Sequence, residues 1–541
     1  MTSPFSEAEL VERPAMDLLA SLGWSVVDAA GEEFAADGKL GRLSAAEVVL
    51  RPRLRAALVR LNPGMAAEGL TQAEDALTKD RGGMSLLAAN RELYGLIKDG
   101  VKVDVPDERG VRQEARVRVI DWRNASANDI VAVQQLTVIG PLYTCRPDIV
   151  GFVNGLPLVL IECKAPNVPA QRAFDDNLTR YKHPLNGIPR LCAHNAVLIA
   201  TNGTDSRVGS LSADWDRFGE WKRIASEDEP RRVSLETLLR GVCDPVRLLD
   251  IVENFTVFSD TPEGTIKILG QNHQVIGVNA AITALRTKPA DDPRLGVFWH
   301  TQGSGKSFAM LFFAQKVLRT IPGNWTFVVV TDRTELDEQI IKTFTRAGAI
   351  SETEGRECPA TSGERLRELL GGNNRYIFTL IHKFRDRDVV TTRQDVIVLA
   401  DEAHRSQYSD LALNMRAAMP GARYLAFTGT PRLFWVLRGY VHSQSWHEVE
   451  SAAEEHDGHS ECFCISVATA GSADGHDDAV HAFEWSGGDA VLAVGDDVFQ
   501  AGLDHVDDFV YGGDVGLAAP GRPLLEVAAG FADSGAIPEV A

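Results

Sequence analysis

Residues 296–307 read GVFWHTQGSGKS, a short apolar run followed directly by a glycine-rich loop. The apolar run predicts a buried strand, and residues 308–318 after the loop predict a helix. A glycine-rich loop between a strand and a helix can wrap its backbone N–H groups around phosphate oxygens. The predicted phosphate-binding residues are Gly303, Ser304, Gly305, Lys306 and Ser307. Lys306 would reach the β and γ oxygens of a nucleotide, and Ser307 would be a ligand of Mg²⁺.

An acidic box follows about 95 residues later, directly after the apolar run 396–400. In the box, Asp401 would hold Mg²⁺, Glu402 would orient the attacking water, and His404 would couple the site to DNA or to the next domain. Upstream of the loop, Gln274 is a candidate to contact the adenine edge. Loop and box together predict an ATPase that uses ATP and Mg²⁺.

The apolar runs of this region alternate with helix-length segments. These runs are 296–299, 327–331, 376–380, 396–400 and 424–428. Short buried runs joined in this way favour a parallel sheet in a doubly wound α/β domain.

A second group of charged residues lies on a predicted β-hairpin over residues 149–163, with the turn pair Asn154-Gly155. Asp148 opens the hairpin, Glu162 ends it and Lys164 follows. Because alternate residues of a strand face the same side, Glu162 and Lys164 should point together. Two carboxylates and an ammonium suit Mg²⁺-dependent phosphodiester hydrolysis, in which Asp148 and Glu162 bind the metal and Lys164 stabilises or orients the nucleophile. The plainer interpretation is a strand that ends in exposed charges.

Two more polar residues are candidates near the same sheet edge. Asn177 lies on a predicted helix after the hairpin, and Glu12 lies on a predicted amphipathic helix over residues 6–22. Further strands are predicted at 116–121, 130–138 and 196–200, with helices over 233–255.

The net charge of −20 at first argues against nucleic acid. Most of that charge lies at one end, because residues 432–541 hold 20 acidic and three basic side chains, whereas residues 1–431 hold 55 and 52. A nearly neutral body can carry local basic grooves, so DNA remains an allowed partner. No apolar run approaches the ~18 residues of a membrane span, and seven scattered cysteines favour the cytoplasm.

The acidic tail 432–541 has no Lys, Asn or Met, yet it has seven of the 13 histidines. Such a composition favours the hypothesis that a frameshift or rearrangement has replaced the genuine continuation. The alternative is a divergent acidic domain or a solvated tail. The tail also contains His456, His459, Cys462 and Cys464, a zinc-like spacing that its composition marks as accidental.

With both groups in view, residues 5–431 resemble the motor and nuclease (R) subunit of type I restriction-modification enzymes. The resemblance rests on residues 146–148 (RPD), 153–158 (VNGLPL), 162–164 (ECK), 299–307 (WHTQGSGKS), 330–337 (VTDRTELD), 378–384 (FTLIHKF), 401–405 (DEAHR) and 427–431 (FTGTP). It implies a PD-(D/E)xK restriction-endonuclease-like domain over residues 1–255. A RecA-like P-loop helicase domain over residues 256–431 would follow, and then a tail of uncertain fold over residues 432–541.

The resemblance also implies roles for residues at other strand ends. Thr331, Arg333 and Lys383 would contact the DNA backbone, while Thr428 and Thr430 would couple hydrolysis to movement. The alternative for the two cations is a solvated surface charge. The family commonly has Gln at the position of Asn177, and its second RecA-like domain is not recognisable after residue 431.

The function expected from the resemblance is ATP-dependent translocation of double-stranded DNA followed by Mg²⁺-dependent cleavage of unmodified DNA. Such a subunit works with methyltransferase (M) and specificity (S) subunits in the cytoplasm. Two alternatives stay open: another phage-defence nuclease-helicase that needs no methyltransferase, and an inactive truncated remnant that binds DNA or partner subunits.

Overall fold

The structure is a computed structural model that describes residues 7–106, 110–289, 291–301, 303–401 and 410–429, together with four short strands nearer the C-terminus. The chain divides into two compact units, Met1–Val467 and Ala468–Ala541. Within the described residues, no helix has both the length and the apolar character needed to cross a bilayer.

The N-terminal part of the larger unit is built on a mixed seven-stranded sheet in the order β1-β4-β7-β8-β9-β10-β11. Its strands and those of two small hairpins are β1 (Ser25–Asp28), β2 (Val101–Pro106), β3 (Arg112–Val117), β4 (Ile130–Gln134), β5 (Val138–Ile139), β6 (Thr144–Cys145), β7 (Ile149–Val153), β8 (Leu156–Cys163), β9 (Val197–Thr201), β10 (Ser206–Gly209) and β11 (Gly219–Glu220). The central strands β7, β8 and β9 are buried along their whole length. Their continuous apolar sequence follows from burial on both faces.

Helices surround this sheet. They are α1 (Arg13–Ser21), α2 (Arg51–Leu61), α3 (Ala67–Thr78), α4 (Leu86–Asp99), α5 (Thr179–Lys182), α6 (Pro189–Cys192), α7 (Leu235–Val242) and α8 (Pro245–Asn254). A π-helical turn, Ala8–Glu12, leads into α1, and a second one, Ala173–Leu178, leads into α5. The predicted N-terminal helix is confirmed, and the chain leaves it through Gly23 at φ +92°.

The predicted hairpin between β7 and β8 is confirmed. Asn154 and Gly155 have φ values of +51° and +79°, the left-handed conformation that a two-residue turn of this type needs. The Asn154 side chain is fully buried and donates to the carbonyl of Val119 at 2.9 Å. A Cβ on Gly155 would lie 2.5 Å from the Leu50 carbonyl oxygen, so only glycine fits there.

Two predicted strands have wrong bounds. The strand expected over 116–121 lies earlier in the chain, as β3, and ends at Val117. It ends there because the backbone N–H of Arg118 donates to the Asn62 side chain and not to a neighbouring strand. The strand expected over 130–138 breaks after β4, since Gln135 adopts φ +56°.

The second sheet has six strands in the order β16-β15-β17-β18-β14-β19. A hairpin of β12 (Thr256–Thr261) and β13 (Gly264–Leu269) precedes it, and its strands are β14 (Arg294–His300), β15 (Thr326–Thr331), β16 (Tyr376–Leu380), β17 (Val396–Ala400), β18 (Arg423–Thr428) and β19 (Cys462–Ile465). The first five in this order are parallel, and β19 is antiparallel to β14. The five predicted strands and their parallel arrangement are therefore confirmed.

The helices of this part are α9 (Asn272–Thr287), α10 (Lys306–Thr320), α11 (Thr334–Arg346), α12 (Glu354–Glu357), α13 (Gly363–Gly371) and α14 (Asp410–Ala418). Helix α10 is joined to α8 and α9 by the Lys316 ammonium, which donates to the Asp250 and Asn279 side chains. Arg319 adds a bond to the Glu253 carbonyl at 2.8 Å. The helix that starts at the glycine-rich loop is thus tied to the last helix of the N-terminal part.

The smaller unit contains a three-stranded antiparallel sheet of β20 (Val480–Ser486), β21 (Gly488–Val494) and β22 (Asp497–Leu503). The zinc candidates His456 and His459 lie outside the described residues, whereas Cys462 and Cys464 lie in β19. The frameshift stays a hypothesis.

Candidate nuclease and ATPase sites

The structure brings Asp148, Glu162 and Lys164 together at one end of β7 and β8. Because Ile149 pairs with Ile161 in the antiparallel register, Asp148 lies opposite Glu162. The backbone N–H of Cys163 donates to the Asp148 carboxylate at 2.8 Å. The Lys164 ammonium lies 3.8 Å from the Glu162 carboxylate and donates to the Cys163 carbonyl at 2.9 Å.

Both carboxyls are buried, with 8% of Asp148 and 1% of Glu162 exposed. Burial raises the pKa of Asp148 to about 6, and the Glu12 and Glu7 carboxyls add to that rise. Burial also raises the pKa of Glu162 well above its usual value, with the Asp148 charge as the second cause. The protein therefore holds carboxyl groups where ionisation is costly without a nearby cation.

Asn177 and Tyr181 lie beside Glu162. The Asn177 amide donates to Glu162 Oε1, and the Tyr181 hydroxyl donates to the same oxygen at 3.2 Å. The other oxygen, Glu162 Oε2, is buried and has no hydrogen-bond partner among the described residues. A buried carboxylate oxygen left open beside a second carboxylate fits a divalent cation, which prefers oxygen ligands.

The N-terminal helix brings more carboxylates to this place. Glu12 is buried, and single oxygens of Glu7, Glu12 and Asp148 lie within 4.8 Å of one another. The amides of Gln134 and Gln135 donate to Glu12 Oε2 at 3.1 Å and 2.7 Å. Glu12 and the helix that carries Asn177 and, four residues later, Tyr181 were expected near this edge from the sequence, whereas Glu7 and Gln135 were not.

The glycine-rich loop connects β14 to α10. Gly303 and Gly305 have φ values of +88° and +82°, a backbone conformation that residues other than glycine rarely adopt. Lys306 and Ser307 start α10, so their N–H groups lie at the positive end of the helix dipole. The Ser304 hydroxyl is buried and has no hydrogen-bond partner among the described residues. These features fit the phosphate groups of a nucleotide.

Gln274 lies against the back of this loop. Its amide donates to the Gly305 carbonyl at 3.0 Å and accepts from the Gln271 N–H at 3.0 Å. The ring of His273 lies 3.3 Å from the Ser304 carbonyl oxygen. In this structure Gln274 holds the loop backbone, while contact with adenine stays a prediction.

The remaining predicted residues lie at the carboxyl ends of parallel strands, one edge of the second sheet. Asp401 follows β17 and is buried, Thr331 ends β15, and Thr428 ends β18. The exposed Arg333 guanidinium lies 3.6 Å from Asp332, and Lys383 donates to the Thr361 carbonyl at 2.7 Å. Ligands of open α/β sheets bind at this edge.

Three predicted residues lie outside the described ones. They are Glu402, His404 and Thr430.

The chain matches two sequence families in the same order as the two sheets. Residues 4–217 match the type I restriction enzyme R protein N terminus, and residues 273–437 match the SWI2/SNF2 ATPase. The chain belongs to the family of type I restriction enzyme R subunits. Its fold is accordingly an N-terminal nuclease domain followed by a RecA-like ATPase domain.

Curated relatives agree with this assignment. The type I restriction enzyme HindI endonuclease subunit of Haemophilus influenzae is 36% identical over 454 residues, which cover 78% of this chain and 42% of that protein. A protein of Methanocaldococcus jannaschii named as a type I restriction enzyme endonuclease subunit is 31% identical, over 79% of this chain and 42% of its own length. The chain thus spans less than half the length of these R subunits.

Among solved structures, the SWI2/SNF2 ATPase core of Sulfolobus solfataricus in complex with double-stranded DNA has a TM-score of 0.24 at 12% identity. That overlap covers 31% of this chain and 34% of that one, too little to bear on function.

Proposed function

We propose that this chain acts as a restriction subunit that couples ATP hydrolysis to movement along double-stranded DNA and cleaves unmodified DNA with Mg²⁺. The observation that carries the proposal is the presence, in one compact unit, of a buried carboxylate–lysine group and a phosphate-binding loop.

In the nuclease site, Asp148 and Glu162 would hold the cation, which would polarise the phosphate and activate water. The Asp148 carboxylate is fixed by the Cys163 N–H, and the Glu162 carboxylate by Asn177 and Tyr181. The Lys164 side chain is only 16% exposed and lies beside Glu162, so its ammonium would be held close to the incoming phosphate.

In the ATPase site, Lys306 would bind the β and γ phosphates, while Ser307 and Asp401 would hold Mg²⁺. Glu402 would orient the attacking water, and Gln274 would keep the loop in place with its bond to Gly305. Thr331, Arg333 and Lys383 would contact the DNA backbone. His404, Thr428 and Thr430 would couple hydrolysis to movement.

The proposed partners are duplex DNA and the methyltransferase and specificity subunits of the same system. Co-expression with those subunits would give a stable complex under this proposal. A chain that cleaves DNA without them would favour the other phage-defence nuclease-helicase, and a chain that binds them without hydrolysing ATP would favour the inactive remnant.

The experiment that tests the nuclease assignment is Lys164→Ala. Removing the ammonium next to Glu162 should lower nicking of unmodified DNA by on the order of 10²-fold or more, as for other groups that stabilise charge in the transition state. Nicking would be measured on supercoiled DNA with ATP, Mg²⁺ and the partner subunits.

The matched control is Lys102→Ala, since the Lys102 side chain is 60% exposed and pairs with the surface residue Glu114. Both variants should hydrolyse ATP at the wild-type rate. If Lys164→Ala nicks DNA as well as Lys102→Ala does, Lys164 is misassigned.

A further inference from the structure

We infer that an apolar patch beside the candidate nuclease site inserts into the minor groove of the DNA that this site would cleave. The inference rests on the proposed nuclease function, because the patch would act on the same substrate. The patch consists of four side chains that are 50–63% exposed, namely Ile139, Leu142, Tyr143 and Leu185. A cluster of exposed apolar side chains marks a binding surface, since contact with water is unfavourable for it.

Two loops carry the patch, and their backbones contact each other. Leu142 and Tyr143 lie in the turn between β5 and β6, where the Gly140 N–H donates to the Tyr143 carbonyl at 2.8 Å. Leu185 lies in the loop after α5. A Cβ on Gly140 would come within 1.9 Å of the Gly187 carbonyl oxygen in that second loop. This close approach keeps the two loops, and therefore their apolar side chains, next to each other.

The loop after α5 is held in shape by its own hydrogen bonds. The His183 ring accepts from the backbone N–H groups of Leu185 and Asn186 at 3.2 Å and 3.1 Å. The Gly187 N–H donates to the His183 carbonyl at 3.0 Å. Because the backbone is already ordered, placing Leu185 in a groove of DNA requires little further loss of conformational entropy.

Both loops lead directly into the candidate nuclease site. Asp148 follows Tyr143 by five residues. Tyr181, which precedes Leu185 by four residues, donates to Glu162 Oε1 at 3.2 Å. Since both carboxylates are buried, a phosphate of a straight duplex would have to leave its regular position to reach them. Apolar side chains in the minor groove unstack bases and kink the duplex, which is the distortion needed here.

The charge around the patch suits DNA. Residues 137–147 and 179–190, which include both loops, hold four Lys and Arg side chains and no carboxylate, in a chain with a net charge of −20. Arg146 and Arg180 are exposed and form no ion pair within the part of the chain that the structure describes. Burial raises the pKa of the Cys145 thiol, and the Arg180 charge opposes that rise, which places the guanidinium near β6. Both cations can therefore contact phosphates beside the groove that the patch enters.

Photocrosslinking from the patch tests the inference without relying on cleavage. The full chain, with p-benzoylphenylalanine in place of Leu142, is irradiated with a labelled A·T-rich duplex in the presence of the proposed partner subunits. The matched control carries the same group in place of Val246 on α8, which is 67% exposed. We expect crosslinks to DNA from position 142 and none from position 246. Netropsin, which occupies the minor groove, should suppress them.

Each other outcome decides a different point. A crosslink from position 142 to a methyltransferase or specificity subunit, and not to DNA, would overturn the inference and make the patch a protein interface. Equal yields from positions 142 and 246, or a DNA crosslink that netropsin leaves unchanged, would overturn it as well. A DNA crosslink in a chain whose wild type does not nick DNA would refute the proposed nuclease function alone.

Combining Leu142→Ser with Leu185→Ser tests the distortion. Nicking of intact duplex should fall by about tenfold or more, because the side chains that hold the bases apart are lost. Nicks at a single unpaired bulge should persist, since that duplex is already distorted. ATP hydrolysis should match the wild type and show that the variant is folded, and Val246→Ser should change neither activity. If the double variant nicks intact duplex as well as the wild type does, the patch does not insert.

Discussion

The candidate nuclease and ATPase sites of this chain are assembled in different ways. The nuclease site combines the N-terminal helix, the β4 end, the β7–β8 hairpin and helix α5, so residues as distant as Glu12 and Gln135 are in direct contact. The ATPase site follows the carboxyl ends of parallel strands, and its loop is formed by adjacent residues. A site made from distant segments depends on tertiary structure, whereas a loop site depends mainly on local backbone conformation.

The largest expected effect tests whether the two sites are chemically independent. Lys306→Ala should lower DNA-stimulated ATP hydrolysis by on the order of 10²–10³-fold, because the ammonium that stabilises the phosphate charge is lost. Binding of Mn²⁺ to the nuclease carboxylates should not change, since Lys306 belongs to the loop after β14. Phosphate release and a Mn²⁺ titration measure the two effects.

Lys342→Ala is a suitable control, because Lys342 is exposed on α11 and pairs with Glu338 one turn away. Unchanged hydrolysis in Lys306→Ala would exclude the loop as the nucleotide site. Loss of Mn²⁺ binding in the same variant would show that the two sites are coupled.

Local assembly also explains what the sequence could predict. The Asn154-Gly155 turn and the glycine-rich loop were identified because short-range backbone rules determine them. Placing Asp148 opposite Glu162 then followed from the hairpin alone.

What the sequence did not reveal depends on distant contacts. Glu7 reaches the site only through a π turn, and Gln135 interrupts a run that otherwise predicts a continuous strand. The sequence does not indicate whether the Gln274 amide faces a nucleotide or the Gly305 carbonyl. Periodicity and spacing carry no information about such pairings.

A smaller effect is expected at Gln274, where the local loop does depend on a distant residue. Gln274→Ala removes the bonds to the Gly305 carbonyl and the Gln271 N–H, each worth about 1 kcal/mol. We expect hydrolysis to fall by about tenfold with ATP and GTP alike, since the bonds hold the loop and not the base. Steady-state rates with both nucleotides decide the point.

Gln72→Ala serves as the control, because the Gln72 amide donates to the Asp104 carbonyl on an exposed surface. A loss confined to ATP would favour the adenine contact predicted from sequence. Equal rates for Gln274→Ala and wild type would exclude both roles.

The smallest effect on either activity is expected for a buried charge that belongs to neither site. Lys267 on β13 is 3% exposed, its ammonium donates to the Asn195 carbonyl at 2.6 Å, and the rings of Tyr94 and Phe258 lie within 5.9 Å. Burial lowers the pKa of Lys267 to about 7. The unfolded chain keeps this proton up to about pH 10, so it binds more protons than the folded chain between about pH 7 and pH 10, and the free energy of unfolding rises with pH there.

Lys267→Met should therefore stabilise the protein most at and below about pH 7, where the buried ammonium is most costly, and progressively less toward pH 10. Burying the charged Lys267 ammonium costs ~5 kcal/mol before its contacts are counted, and its hydrogen bond and ring contacts offset part of that cost. We therefore expect the substitution to raise the free energy of unfolding by about 2 kcal/mol. Urea unfolding from pH 6 to pH 9.5 measures the gain, while Mn²⁺ binding and ATP hydrolysis should match wild type. A gain independent of pH would mean that Lys267 stays protonated in the folded protein, and a change in either activity would mean that the β12–β13 hairpin connects the two sites.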